Sequence, residues 1–380
     1  MKKIIFVHPV DDLYGASRIL AYVINSLDSE EYDCDIIVPR ISGDLQSIIK
    51  NPSVKFVEMP CLPIIHRKMF TPLGVLKWVI NNFKFYSFLR KNKGSIKLVY
   101  VNTFACFSVS FLSKLSSLSV LTHCHEVLDN SPHGKFISYC SKKFSDVVVC
   151  VSNRVKNYVS GIDNSKNVLL IYNGIPDVEC YKQRETFSRL DKNDVYNFYL
   201  VGRVMPEKGH WFLLDTIKKL PSSLLKGVKF HIVGDSPPNR KGLFDEFKNE
   251  VNKNNLNECF VFHGFIQDIS ENLSTCCDVL LVPSIMADPF PTTVLEGLRA
   301  GIPVITTNNG GAAEIIENGV NGFLIEPGNI NEFGDIITKI LDDNMDLLKV
   351  SVFARLSYER NFSLDNFSKS IVKIIATCIK

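Results

Sequence analysis

Short apolar runs alternate with longer amphipathic stretches along almost the whole chain, and this alternation constrains the fold more than any other feature. Such a pattern is typical of βαβ units, in which helices join parallel strands. In the first part of the chain, strands are predicted at Ile4–Val7, Asp35–Val38, Val54–Glu58, Leu98–Val101, Val120–Thr122, Val147–Val151 and Val168–Ile171. A second series is predicted at Phe198–Val201, Lys229–Val233, Val261–His263, Val279–Val282, Val304–Thr306 and Gly322–Ile325.

The two series predict an α/β protein with two Rossmann-like domains. A chain of 380 residues is also too long for a single core. We expect an N-terminal domain at 1–172, a linker at 173–197, a C-terminal domain at 198–358 and a final segment at 359–380. Helices are expected between the strands, at Ala16–Leu27, Asn153–Val159, Trp211–Lys219, Leu243–Asn252, Ile269–Thr275 and Thr293–Ala300, and near the end at Leu364–Ile379.

Asp288 and Glu296 stand eight positions apart, on either side of a predicted helix start. The predicted strand Val279–Val282 precedes them. Ligands of open parallel sheets lie at the carboxyl ends of strands, and helix N-termini expose free amides. The two carboxylates are therefore placed to frame a phosphorylated sugar. The alternative is an ordinary acidic helix start, since Asp is favoured near helix N-termini.

Two cations, Arg203 and Lys208, occupy the turn between a predicted strand ending at Gly202 and a helix beginning near His210. Arginine offers a planar fork to phosphate oxygens, and lysine adds a mobile point charge. The pair suits a diphosphate leaving group. The alternative is a solvated loop between a strand and a helix.

The first predicted strand leads into a loop that contains Gly15, and a helix follows. A glycine there would let the backbone approach a phosphate or an acceptor group closely. A plain loop glycine is the alternative. No Gly-x-Gly-x-x-Gly follows any predicted strand, which argues against a dinucleotide-dependent oxidoreductase.

The segment His123-Cys124-His125-Glu126 ends the strand predicted near Val120. His-x-His beside a cysteine suggests zinc, but a zinc site needs three or four ligands, and no second His/Cys pair with ligand spacing accompanies it. The remaining alternatives are a structural histidine and a histidine that faces a ligand.

Together these elements resemble retaining glycosyltransferases of family 4, the glycosyl transferases group 1, which have the GT-B fold. Asp288 to Glu296 corresponds to the family's Glu-x7-Glu element, with Asp in place of the first Glu. Gly202 to Gly209 corresponds to its Gly-Arg-x4-Lys-Gly loop. Tyr14-Gly15 stands where the family often has two glycines, and His125-Glu126 matches its His-acid step better than His123 does.

The resemblance implies two Rossmann-like domains facing a cleft, with a C-terminal helix that crosses back to the N-terminal domain. It implies a catalytic set of Asp288, His125, Arg203 and Lys208, in which the two cations neutralise the departing diphosphate. Glu296 would hold the ribose, while Asp288 and His125 would contact the donor sugar. The donor-binding set would comprise Gly15, Gly202, Arg203, Lys208, Gly234, Phe265, Asp288, Phe290, Pro291, Thr292, Thr293, Val294 and Glu296, with the amides from Phe290 to Val294 (except Pro291) as donors to the diphosphate.

The same resemblance implies retaining transfer of a hexose from a UDP- or GDP-linked sugar to a saccharide or polyprenyl-linked acceptor. Bacterial capsule or O-antigen synthesis is the expected setting. No cofactor and no metal are expected, because no Asp-x-Asp stands near these motifs. A nucleotide-sugar epimerase and a phosphorylase are alternative enzymes, although no pyridoxal-phosphate lysine is evident. A degenerate donor-binding subunit, with Asp288 as its lesion, is the non-enzymatic alternative.

Charge is distributed unevenly, with 21 Lys and Arg against 13 Asp and Glu in residues 1–172. No acidic residue occurs between Glu58 and Glu126. That interval contains cations interleaved with aromatic residues: Arg67, Lys68, Lys77, Lys84, Arg90, Lys91, Lys93, Lys97 and Lys114, with Phe70, Trp78, Phe83, Phe85, Tyr86 and Phe88. A basic, aromatic-rich helical segment is typical of contact with an anionic membrane surface.

Two other interpretations apply to this basic segment. It can be an ordinary packed helix with solvated charges, or a surface for single-stranded nucleic acid, which also uses cations and aromatic residues. No nucleic-acid-binding motif accompanies it, so no nucleic acid partner is expected. No transmembrane helix or signal peptide is predicted, and the eleven cysteines are scattered. We therefore expect a reduced, cytoplasmic protein that is peripheral on the inner face of the cell membrane.

Overall fold

The computed structural model describes residues 1–66, 69, 71–128, 131–161, 166–178, 181, 183 and 195–379. These residues form two compact units. The first consists of Met1–Gly174 together with the chain from Leu364 onward, and the second is Ile175–Ser363. Each unit is built on its own parallel sheet.

In the first unit, strands β1 to β7 alternate with helices α1 to α6. The strands are Lys2–Val7, Tyr32–Val38, Val54–Glu58, Ile96–Asn102, Ser119–Cys124, Val147–Cys150 and Val168–Leu170. The helices are Gly15–Asn25, Asp44–Ile48, Pro72–Asn92, Phe107–Leu115, Pro132–Lys143 and Asn153–Ser160.

The sheet of the first unit has the strand order β3-β2-β1-β4-β5-β6-β7, and each of its strand pairs is parallel. Each predicted strand of this series is present. β1 starts earlier than predicted, because Lys2 and Lys3 pair in register with Tyr32 and Asp33 although their side chains are polar. The order reverses between β1 and β4, so the carboxyl ends of these strands border the usual ligand position of an open α/β sheet.

The second unit contains strands β8 to β13 and helices α7 to α14. The strands are Tyr196–Val201, Val228–Val233, Phe260–Gly264, Val279–Val282, Val304–Thr307 and Phe323–Ile325. The helices are His210–Ile217, Ser222–Leu225, Leu243–Lys253, Ser270–Cys276, Thr292–Arg299, Ala312–Ile315, Ile330–Leu341 and Leu347–Ser357, and a π-helical turn follows at Tyr358–Phe362. The strand order is β10-β9-β8-β11-β12-β13, again parallel, with the reversal between β8 and β11.

The last helix, α15 at Leu364–Cys378, belongs to the first unit. Phe367, Ile371 and Ile375 recur every four residues and are buried in the cluster that contains Ile4 and Phe6. Such a stripe is the apolar face of an amphipathic helix. The predicted return of the C-terminal helix to the N-terminal domain is therefore confirmed.

The return begins at Leu364 rather than at residue 359. The π-helical turn before it belongs to the second unit, because the amide of Ile175 donates to the carbonyl of Phe362 (3.1 Å) and the Tyr358 hydroxyl donates to the carbonyl of Ile175 (3.0 Å). The chain passes between the units at Gly174 and Ile175, and β8 starts at Tyr196. Residues 179, 180, 182 and 184–194 of the predicted linker lie outside the described residues.

Helix α3 spans 21 residues of the acid-free segment. Its start is fixed by Thr71, whose side chain accepts a hydrogen bond from the Gly74 amide (3.1 Å), and by Pro72 in the first turn. Only Phe85 and Leu89 are buried in it. The predicted segment also included Arg67, Lys68 and Phe70, which lie outside the described residues. Within the described chain, no helix combines the length and apolarity needed to cross a membrane.

Candidate functional site

The loop after β8 carries Arg203 and Lys208 at the strand reversal of the second unit. Gly202 donates its amide to the carbonyl of Val233 (2.9 Å), and Gly234 donates to that of Gly264 (2.7 Å). A Cβ at Gly234 would overlap the carbonyl of Gly202, and the φ of Gly234 is +141°, so a glycine is required there. The ends of β8, β9 and β10 are thus drawn together beneath the loop, and Arg203 is exposed on it.

Lys208 forms an ion pair with Asp288, with 2.9 Å between Nζ and Oδ2. Both side chains are about three-tenths exposed, at 29% and 28%. Solvent therefore reduces what the pair contributes to stability. The structure thus brings together two of the predicted catalytic residues, one from the loop after β8 and one from the loop after β11.

The backbone around Asp288 is held by the glycine pair Gly310-Gly311. The Gly311 amide donates to the carbonyl of Asp288 (2.8 Å). A Cβ at Gly310 would overlap that carbonyl, and one at Gly311 would overlap the carbonyl of Pro289. The close approach of two backbone segments fixes the backbone position of Asp288.

Helix α11 begins at Thr292, after the turn that starts with Asp288. The Phe290 amide donates to Asp288 Oδ1 (3.3 Å), and the Val294 amide donates to the carbonyl of Pro291 (3.2 Å). These two amides were predicted to bind a diphosphate, but they already have partners within the chain. Among the described residues no acceptor is found for the amides of Thr292 and Thr293, so these two amides are available to a ligand.

The remaining predicted donor-binding residues of the second unit lie on the same carboxyl edge or beside it. Phe290 and Pro291 are buried, and the Phe290 ring packs 6.1 Å from that of Phe362. Glu296 is half-buried in the middle of α11. Phe265 follows β10 with 75% of its surface exposed, so its ring is accessible to a ligand.

Glu207 links the loop after β8 to the loop after β11, and sequence reasoning missed it. Its carbonyl accepts the amides of Ile285 (3.0 Å) and Met286 (3.3 Å), and its carboxylate pairs with Arg240 at 2.6 Å. Its own backbone amide, and then Arg240, lower the pKa of Glu207. The position of Lys208 therefore depends on a neighbour that stands within the same sequence motif.

In the first unit, His125 follows β5 and is half-buried. Its Nε2 lies 2.9 Å from Oδ1 of Asn102, at the end of β4. Nδ2 of Asn102 lies 3.0 Å from Nδ1 of His8, which follows β1. His8 Nε2 lies 2.9 Å from the hydroxyl of Ser17 on α1, and that hydroxyl donates to Asp12 at 2.5 Å. A chain of hydrogen bonds through Asn102, His8, Ser17 and Asp12 thus joins His125 to the start of α1.

Sequence reasoning identified His125 but missed His8 and Asn102. The sequence does contain a signal for both. His8 directly follows the first apolar run, and Asn102 comes one residue after the fourth predicted strand. Polar side chains at the carboxyl ends of adjacent parallel strands meet at one edge of the sheet.

Glu126 has a structural role at this edge. Its carboxylate accepts hydrogen bonds from the Thr103 hydroxyl and from the Phe104 amide (2.8 Å). Burial raises the pKa of Glu126, and these hydrogen bonds oppose the rise. Thr103 has a φ of +121°, which is strained for a residue other than glycine. Glu126 therefore stabilises the strained turn that follows Asn102.

His123 is fully buried and lies 2.6 Å through Nδ1 from the Tyr100 hydroxyl, which makes it a structural histidine. No cluster of three His, Cys, Asp or Glu side chains suited to a metal is found among the described residues.

Gly15 opens α1, and a Cβ there would meet nothing within 4 Å. The protein itself therefore does not require a glycine at position 15.

Burial keeps the histidines of this edge neutral. It lowers the pKa of His8 to about 4 and that of His123 to about 3. Burial, with His123 and His8 nearby, also holds the pKa of His125 well below its usual range. At neutral pH each ring therefore has one N–H donor and one bare nitrogen.

Two family models match consecutive parts of the chain. Residues 14–178 match the model described as Glycosyltransferase Family 4, and residues 182–355 match Glycosyl transferases group 1. An uncharacterized glycosyltransferase of Methanocaldococcus jannaschii is 29% identical over 317 residues, which are 81% of this chain and 82% of that protein. The UDP-Gal:alpha-D-GlcNAc-diphosphoundecaprenol alpha-1,3-galactosyltransferase of Escherichia coli is 24% identical over 362 residues, 90% of this chain and 89% of that protein.

A solved structure shows the same architecture over the full chain. Anabaena HepE in complex with UDP-glucose aligns with a TM-score of 0.79 and 21% identity, covering 99% of this chain and 100% of that one. The two parallel-sheet units described above therefore constitute the GT-B fold.

Proposed function

The chain belongs to the group 1 glycosyltransferases of GT-B fold, and we propose that it moves a hexose from a nucleotide-diphosphate sugar to a lipid-linked saccharide with retention of configuration. The observation that carries this proposal is the meeting of Lys208 and Asp288 beside Arg203, at the strand reversal of the second unit. Two cations suit a diphosphate, and the carboxylate suits sugar hydroxyls.

In the proposed mechanism, Arg203 and Lys208 stabilise the negative charge that develops on the leaving diphosphate. Lys208 exchanges its contact with Asp288 for the phosphate, which leaves the Asp288 carboxylate able to accept hydrogen bonds from the sugar. The amides of Thr292 and Thr293 add donors at the start of α11. Glu296 accepts hydrogen bonds from the ribose hydroxyls, and Phe265 provides a ring for the base.

Retention is proposed to follow from attack on the face that the diphosphate leaves. The acceptor oxygen forms a bond to the anomeric carbon while the bond from that carbon to the phosphate oxygen breaks. The released phosphate oxygen takes the proton of the acceptor hydroxyl. This scheme requires no nucleophile from the enzyme, and neither a metal nor a cofactor is proposed.

The donor is proposed to be UDP-linked rather than GDP-linked. The Anabaena structure is a complex with UDP-glucose, and the Escherichia coli relative is named for UDP-Gal and a diphosphoundecaprenol-linked acceptor. That acceptor supports a polyprenyl-linked saccharide for this chain. We place the reaction in the synthesis of bacterial surface polysaccharide, such as capsule or O-antigen.

An anionic membrane surface is proposed as the site of contact with such an acceptor. From Leu73 to Phe83, α3 exposes large apolar side chains, among them Leu73 at 80% and Phe83 at 71%. Lys77 lies between these two residues, Lys84 follows them, and no acidic residue lies on the helix. Apolar insertion combined with cations is the chemistry of interfacial helices, and each cation adds about 1 kcal/mol near an anionic surface. A cytoplasmic enzyme peripheral on the inner face of the membrane follows from this proposal.

The experiment for the proposed reaction is a transfer assay with a panel of UDP- and GDP-sugars and a polyprenyl-diphosphate saccharide, read by NMR of the product. The expected product is an axial or equatorial glycoside with the same anomeric configuration as the donor. An inverted product would exclude the retaining mechanism. Release of a free epimerised sugar nucleotide would instead indicate an epimerase.

A further inference from the structure

The hydrogen bonds that join Asp12 to His125 have a fixed direction. A carboxylate only accepts hydrogen bonds, so the Ser17 hydroxyl donates to Asp12 (2.5 Å). Because the single hydroxyl proton of Ser17 points to Asp12, the Ser17 oxygen accepts a hydrogen bond from Nε2–H of His8 (2.9 Å). Nδ1 of a neutral His8 is then bare, and it accepts from the Nδ2 amide group of Asn102 (3.0 Å).

A second contact fixes Asn102 independently. Its Nδ2 also lies 3.3 Å from the carbonyl oxygen of Ala16, which can only accept. Reversing the amide would place its oxygen against that carbonyl and against the bare nitrogen of His8. Asn102 is fully buried, so an unpaired or repelled amide would carry the full cost of desolvation.

The orientation of Asn102 determines the proton on His125. The amide oxygen faces Nε2 of His125 at 2.9 Å, so Nε2 must donate. A neutral imidazole with a proton on Nε2 has a bare Nδ1. Among the described residues no partner is found for Nδ1, and His125 is half-buried, so this nitrogen is left for a ligand.

We propose that Asn102 is a positioning residue that fixes the Nε2-protonated tautomer of His125, so that its Nδ1 accepts a hydrogen bond from a hydroxyl of a sugar ligand. The second clause rests on the proposed glycosyl transfer, whereas the first concerns the protein alone. The low pKa values of His8 and His125 agree with neutral rings throughout.

The turn after Asn102 supports the same assignment. Thr103 has a φ of +121°, and the buried carboxylate of Glu126 holds it there through the Thr103 hydroxyl and the Phe104 amide. Strain of this kind persists only where surrounding contacts over-determine it. Residues 102–103 and 125–126 are thus joined twice, by Asn102 with His125 and by Thr103 with Glu126. The second contact helps to fix the distance between the Asn102 amide and the His125 ring.

The direct test is the protonation state of His125 in the ligand-free wild-type protein. With histidine labelled by ¹⁵N, long-range ¹H–¹⁵N spectra distinguish a protonated ring nitrogen from a bare one. The chain has eight histidines, and the His125→Gln variant assigns the signal. A protonated Nε2 with a bare Nδ1 is expected. A proton on Nδ1, or an equal mixture of tautomers, would overturn the proposal whatever the enzyme transfers.

Kinetics test the consequence for catalysis. Asn102→Leu removes both halves of the amide and should lower kcat/KM about 10- to 100-fold, in line with a lost buried hydrogen bond. In the His125→Ala background the same change should cost little more, because the two residues act through one interaction. Asn157→Leu, on an exposed position of α6, is the matched control and should keep wild-type activity.

Each outcome of the kinetics is informative. Equal losses from Asn102→Leu with and without His125 would show a purely structural role and contradict the proposal. Full activity of His125→Ala, with Arg203→Ala inactive, would remove the ligand contact while leaving the transferase intact. If no donor is consumed by the wild type, the glycosyl transfer fails, but the tautomer measured by NMR still decides the role of Asn102.

Discussion

In the second unit a lysine and an aspartate form an ion pair that the proposed donor would have to separate. Lys208 and Asp288 lie 2.9 Å apart and are both partly open to solvent. The family pattern has Glu where this chain has Asp288, and the shorter side chain still reaches Lys208. Substitutions at position 288 therefore separate the role of the ion pair from the role of the carboxylate toward the sugar.

Asp288→Asn should lower kcat at least about 100-fold, since in the proposed mechanism the carboxylate accepts hydrogen bonds from the sugar in the transition state. Binding of the nucleoside diphosphate alone should be unchanged or tighter, because Lys208 no longer has a carboxylate partner. Asp288→Glu should keep most of the activity. Titration calorimetry with UDP beside steady-state kinetics checks both. Loss of UDP binding in Asp288→Asn would contradict this role for Lys208.

Buried histidines make stability depend on pH. Burial lowers the pKa of His210 to about 4, so the unfolded chain binds a proton below about pH 6.5 that the folded chain does not bind until about pH 4. The stabilisation present above pH 6.5 is therefore lost as the pH falls toward 4. His210→Asn should flatten the decrease in unfolding free energy between pH 7 and pH 4.5, as measured by urea titration. An unchanged slope would mean that His210 does not contribute.

At the scale of elements, the loop after β11 keeps its shape through the glycine pair that follows β12. Gly310 has a φ of +63°, and a Cβ there would overlap the carbonyl of Asp288. Gly319 has a similar φ of +77° but open space around it. The two glycines separate the cost of backbone conformation from the cost of displacing the Asp288 loop.

Gly319→Ala should destabilise the protein by about 1 kcal/mol and leave activity unchanged. Gly310→Ala should destabilise it by about 2 to 4 kcal/mol and lower kcat/KM, because the carbonyl of Asp288 must move. Urea unfolding and kinetics on both variants provide the comparison. Equal effects of the two substitutions on activity would show that the Asp288 loop does not depend on this contact.

Helix α3 predicts a measurable association with lipid. Leu76 and Phe83 are exposed on this helix, and replacing both by Glu should abolish sedimentation with phosphatidylglycerol vesicles without changing the melting temperature. Phe353→Glu is the matched control on α14, where an equally apolar side chain is exposed in the second unit. Wild-type binding to phosphatidylcholine alone should be weak. Undiminished binding of the double variant would place any membrane contact elsewhere.

Across the whole molecule, sequence reasoning reached the strands more completely than the site. Apolar runs such as Val279–Val282 mark buried parallel strands directly, and the GT-B architecture follows from two such series. The motif around Asp288 was also recognisable, because its residues lie in one continuous stretch of sequence. The amphipathic pattern of α15 showed that a helix exists, while only the family resemblance indicated which unit it joins.

Contacts between distant segments were beyond that reasoning. The hydrogen-bonded side chains from Asp12 to His125 lie at the ends of β1, α1, β4 and β5. A hydrogen bond between residues 94 positions apart, such as His8 and Asn102, leaves no periodic signal in the sequence. The sequence also gives no sign that the amides of Phe290 and Val294 have acceptors within the chain. Composition could not show whether the apolar side chains of α3 are exposed or packed, because either arrangement is compatible with the same apolar residues.

We propose that the loop after β8 holds the nucleotide-diphosphate sugar of this transferase. The most direct test is the rate of nucleoside diphosphate release from UDP- and GDP-sugars, compared between the wild type and Arg203→Ala. Lys218→Ala is the matched control, since Lys218 is a cation of the same unit that pairs with Asp215 (3.0 Å). We expect release by the wild type and by Lys218→Ala, and a rate at least about 100-fold lower for Arg203→Ala at an unchanged melting temperature. Wild-type rates in Arg203→Ala, or no release from any sugar nucleotide, would exclude this role of the loop.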